Sequence, residues 1–140
     1  MPNKQISVHD NEIRSYKMVL PESTLIFETT YQNENTTITF LNVLAYSFDG
    51  ACNQNIIFDI IPSKMEIFVD WYRNHKEAQK PFEYGFPING ITDADTLMDF
   101  LKREEYKYWE IDSSVGLNGF VIAKNLVISS KLLSTTQYER

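Results

Sequence analysis

The sequence predicts an α+β domain, a mainly antiparallel and strongly curved sheet or half-barrel with two helices packed on it. Three observations carry this expectation. Apolar and polar residues alternate with period two over 24–31, 36–48, 106–111 and 119–133. Helical spacing takes over at about 63–75 and 93–104. Strands come first, helices in the middle and strands last, which is the order of an α+β domain. With 140 residues, 43% of them hydrophobic and 14% aromatic, one core is within reach. Residues 1–15 are polar and aperiodic and read as a flexible arm; 16–140 read as a single domain with five to seven strands.

Tyr16–Leu20 reads as a short strand ended by Pro21. Leu25, Phe27, Thr29 and Tyr31 then share one face of a second strand, and Gln32–Asn35 is a turn signal. In the run 36–48, Ile38, Phe40, Leu44, Tyr46 and Phe48 share a face that Asn42 interrupts, which places a bend or bulge there. After a loop at Asp49–Asn55, Ile56–Ile61 is nearly all apolar and is expected to be covered on both sides. Ser63 and Glu66 have capping-box spacing, so a helix opens at Pro62-Ser63 and ends near His75. Met65, Phe68, Val69 and Tyr72 form its buried stripe, widened by Ile67 and Trp71. Residues 76–92 have no period, and a loop of that length inside a compact domain is often functional. A second helix opens near Thr92 or Asp93, with Asp95 complementing its dipole and Leu97, Phe100 and Leu101 facing inward. In Tyr106–Ile111, Tyr106, Tyr108 and Glu110 alternate with Lys107, Trp109 and Ile111; strands at 119–123 and 126–133 close the chain.

Thirteen Lys/Arg against nineteen Asp/Glu give a net charge of −6. That removes the usual attraction to phosphate backbones and anionic membranes, so neither nucleic acid nor membrane is expected as a partner. Residues 1–70 hold four basic and nine acidic residues, a net of −5, which reads either as solubility charge or as an acidic face for a basic partner. The opening MPNKQISVHDNEIR has no apolar signal region, and no run reaches the length of a membrane span. A cytoplasmic protein is therefore expected, where the single Cys52 stays reduced.

No catalytic constellation emerges. His9 and His75 are too far apart in sequence for a zinc site, and Cys52 has no histidine beside it. No metal and no cofactor are expected. Asp93, Asp95 and Asp99 are explained by capping and dipole complementarity. Asp59 lies within an apolar run, either exposed at a strand edge or buried with a perturbed pKa. Trp71, Trp109 and the tyrosines serve either a binding platform or a core of large rings.

The segments TITFLNVLAYSFDG and NIIFDIIPSKMEIFVDWY, with the ending GFVIAKNLVISSK, resemble a group of small bacterial proteins, some of which look like immunity proteins that neutralise a toxin. The likeness lies over about 37–69 and 119–131, and Tyr46 and Asp59 match its pattern. It implies a non-catalytic protein that occludes a cognate toxin, with a basic toxin domain as the partner that suits the acidity. The contact is expected on the 76–92 loop and the acids beside it: Glu77, Phe82, Glu83, Tyr84, Phe86, Asp93 and Asp95. The same rings equally serve to pack the loop. The alternative is a ligand-binding or enzymatic half-barrel, with a pocket between helices and sheet that uses Asp59 and Tyr46.

Overall fold

The computed structural model describes residues 7–74 and 93–131. Its elements are β1 Glu12–Val19, β2 Thr24–Tyr31, β3 Glu34–Leu41, β4 Ala45–Asp49, β5 Ile56–Ser63, α1 Met65–Asn74, α2 Ala94–Arg103, β6 Lys107–Val115, β7 Asn118–Ala123 and β8 Asn125–Lys131. The architecture is α+β. Among the described residues, eight strands form one sheet in the order β4-β7-β6-β5-β1-β2-β3-β8, and every neighbouring pair is antiparallel. Two chain continuations join distant places in that order. β3 passes into β4 through residues 42–44, and β7 passes into β8 through Lys124 alone.

The strand count exceeds the expected five to seven because the run 36–48 divides. Asn42 takes φ 55, a left-handed conformation that asparagine tolerates better than most residues, and the pleat restarts beyond it. Val43 and Ala45 are then buried while Leu44 and Tyr46 are half-buried, so the single alternating face expected across 36–48 does not persist. Gln32 and Asn33, at φ 49 and 68, make the two-residue hairpin turn between β2 and β3. Residues 7–15, expected as part of a flexible arm, are instead built into the domain. β1 starts at Glu12 and pairs with β2 along its length, and Val8 and Asn11 are buried. The Asn11 amide donates to Thr29 Oγ1 at 2.9 Å, whose hydroxyl donates to the Thr36 carbonyl at 2.8 Å. The short polar run EIRS concealed this strand, because its order comes from its partner rather than from its own alternation.

Apolar side chains pack on both faces of the sheet, and the alternation within single strands assigns them. Trp109, Ile111 and Val121 join Leu25, Phe27, Ile38 and Phe40 in one cluster. Tyr108 and Ile122, one residue out of step, join Met65, Phe68, Val69 and Tyr72 of α1 and Leu97 and Leu101 of α2 in the other. Both helices therefore lie on one face. The expected capping box at Ser63 does not form. Ser63 is still in β5, and its hydroxyl donates to the Ile61 carbonyl and to Glu110 rather than capping the helix. The Glu66 carboxylate takes its own backbone N–H, which holds it below the usual range, and reaches Lys102 of α2 at 3.4 Å. α2 opens as expected: Asp93 accepts the Thr96 N–H at 2.8 Å. Among the described residues, no helix is long and apolar enough to cross a membrane.

Candidate functional site

Pro62 lacks a backbone donor, yet it fits at the end of β5 because β1 pairs with β5 only at Glu12 and Ile56. The chain then turns into α1 after Lys64 alone. This tight connection sets Ile67, Phe68 and Trp71 of α1 beside Ile61 of β5, Glu110 and Asp112 of β6, Phe120 of β7, and Ser47 and Asp49 of β4. Together they bound an open groove of about 840 Å³. Phe68, Trp71 and Phe120 contact one another with ring centroids 5.2–5.9 Å apart. Ile67 is 50% exposed and Ile61 is 36% exposed, although the sequence pattern placed both inside.

The groove is acidic. Glu110 stands opposite Ile61 on one side and Phe120 on the other. Its carboxylate is held at both oxygens: the Ser63 hydroxyl donates to Oε1 at 3.2 Å and the Tyr108 hydroxyl to Oε2 at 3.1 Å. Burial, the Glu110 charge and that hydrogen bond keep the Tyr108 phenol well above its ordinary pKa, so it remains a donor. Asp112 lies two residues along and directly opposite Asp59. Like charges facing each other across a ladder are unfavourable. Among the described residues, none of Asp49, Asp59, Glu110 and Asp112 forms an ion pair. No three His, Cys, Asp or Glu side chains converge to hold a metal ion there either.

The residues expected from sequence that fall among those described are scattered relative to this groove. Glu77, Phe82, Glu83, Tyr84 and Phe86 lie outside the described residues, as does His75. Both oxygens of Asp93 are engaged, by the N–H and the hydroxyl of Thr96, and Asp95 pairs with Arg73 at 3.2 Å. Asp59 is exposed, its Oδ1 accepting the Ile60 N–H at 2.9 Å, and it borders the groove through Asp112. Tyr46 packs against the cluster on the other face of the sheet, its ring 5.3 Å from that of Phe48. The pair Asp59 and Tyr46 is thus not brought together. Trp109 is core, whereas half-buried Trp71 lines the groove.

Local sequence pattern marks none of Glu110, Asp112, Ile61 and Phe120 as site residues. A signal for Glu110 did exist, since the alternation of 106–111 puts a carboxylate on the same face as two tyrosines. What joins it to α1 and β7 is tertiary. Comparison of the chain with protein-family models, with curated proteins and with solved structures finds no match.

Proposed function

We propose that this chain is a non-catalytic binding protein that uses the acidic, apolar-walled groove beside α1 to engage a basic partner protein. One observation carries the reading: exposed Ile61 and Ile67 adjoin carboxylates that have no ion-pair partner among the described residues. An apolar centre with a charged rim is the common anatomy of a protein contact, and the net charge of −6 favours fast encounter with a positively charged surface.

Within that class we place it with proteins that neutralise a toxin. The likeness of 37–69 and 119–131 to small bacterial immunity proteins supports this, and so does the acidity. The same reading includes a strongly curved sheet. β7 and β8 stand second and eighth in the strand order yet are joined by Lys124 alone. Six strand spacings laid flat would separate them by roughly 29 Å, whereas two Cα steps span about 7.6 Å at most. That constraint favours a rolled half-barrel with the helices outside it.

The test is co-expression with the product of the adjacent gene. A stoichiometric complex, together with restored growth of cells carrying that product, is the expected result. A chain that elutes alone and protects nothing would overturn the immunity role. A second reading, a small-molecule site, draws on the groove's volume and on the fixed Ser63–Glu110–Tyr108 arrangement.

A further inference from the structure

We propose, on the premise of the binding reading above, that the groove is built to receive an arginine side chain of the partner, its guanidinium on the Glu110 and Asp112 carboxylates and its stem against Ile61, Phe120 and Trp71. Glu110 is already oriented by two hydroxyl donors, one on each oxygen. A carboxylate has about four acceptor positions, so two hydroxyls leave room for a forked donor. Its strand neighbours Ile61 and Phe120 present apolar surface on either side. A cation seated there would be partly desolvated, which strengthens its hydrogen bonds to the carboxylate.

Asp112 adds a second charge on the same face, and its repulsion by Asp59 is relieved when a cation arrives. Guanidinium suits this setting better than ammonium. It is planar, more weakly hydrated, able to stack on an aromatic face and matched to bidentate carboxylate geometry. A bare divalent cation is a poorer fit, because no third carboxylate, cysteine or histidine joins the pair among the described residues.

The experiment titrates the full chain with a tetra-arginine peptide amide and with tetra-lysine, following amide shifts by NMR and the fluorescence of half-buried Trp71. Saturable binding is expected, with shifts centred on Trp71, Glu110 and Phe120. The arginine peptide should bind at least about fivefold tighter, as a bidentate contact requires. Glu110→Gln should weaken it by about tenfold, the usual order for losing a charged hydrogen-bond partner. Glu66→Gln, on the solvent side of α1, should change affinity less than twofold, as expected of an exposed pair. Should Glu110→Gln not fold, Asp112→Asn, at an exposed position, reads the same affinity. Equal binding of both peptides, or indifference to both groove variants, would overturn the proposal. The two readings fail separately. Arginine-selective binding without protection by the chain sinks only the immunity role. A partner captured equally well by Asp112→Arg sinks only the groove.

Discussion

Among the described residues, six that are not glycine hold a positive φ, and one of them shows how a side chain is tolerated in that position. Glu105, at φ 63, follows the C-cap of α2; its N–H donates to the Lys102 carbonyl and the Tyr106 N–H to the Leu101 carbonyl. This is the Schellman arrangement, in which glycine is the usual occupant. Replacing Glu105 with glycine should therefore stabilise the fold by about 0.5–1 kcal/mol, since a left-handed side chain costs on the order of 1 kcal/mol and glycine's added chain entropy offsets part of the gain. A melting temperature that stayed level or fell would contradict this. Asp93 makes a pH-dependent contribution. The Thr96 N–H, then the Thr96 hydroxyl, lower its pKa below the ordinary aspartate value. Its stabilisation is complete above that value and is lost as pH falls through the lower folded-state pKa. Urea midpoints of wild type and Asp93→Ala should differ clearly at pH 7 and draw together as the pH falls below the ordinary aspartate range.

At the level of elements, the groove depends on how β4 closes against β7. Gly119 of β7 stands opposite Phe48, and a Cβ added to it would collide with the Ser47 carbonyl. Ser47 and Gly119 both line the groove. Gly119→Ala should thus force β4 away and destabilise the domain by about 1–3 kcal/mol, as overpacking does. Amide exchange should accelerate first along Ala45–Asp49. Unchanged protection there, with stability intact, would show that β4 is not held by this close approach. The helix wall separates by exposure. Phe68 is 1% exposed, and its truncation to alanine should cost about 3–5 kcal/mol. Ile67 on the same helix is half-exposed and should cost roughly 1 kcal/mol or less. That contrast leaves Ile67→Ala as a usable probe of partner binding in an intact fold.

For the whole molecule, the proposed rolling of the sheet makes a distance prediction. In a Cys52→Ser background, spin labels at Ser47 of β4 and Asn125 of β8 should lie roughly 18 Å apart, because Ser47 faces Phe120 and the chain runs on from there through Lys124. A separation of about 34 Å or more, that of the two edge strands laid flat, would require β4 to leave β7 and would remove the half-barrel with it. Much of the framework was readable from local pattern. Alternation marked most strands, the spacing of Met65, Phe68, Val69 and Tyr72 marked the helix and its buried face, and Asn42 marked the break. These features come from neighbours along the chain, where periodicity reports directly on which face is covered. β1's first half was hidden because β2 imposes it, and Ser63 left its cap because the ladder with β6 carries β5 two residues past Ile61, where the local pattern ends the strand. The groove was hidden for a deeper reason. Ile61, Ile67, Glu110 and Phe120 sit on four separate elements, and each alone looks like ordinary core or ordinary surface. Only the strand order, with β6 between β5 and β7 and α1 laid beside them, brings a fixed carboxylate and exposed apolar walls to one place. Composition and spacing carry information along the chain; which residues meet across it is decided by packing.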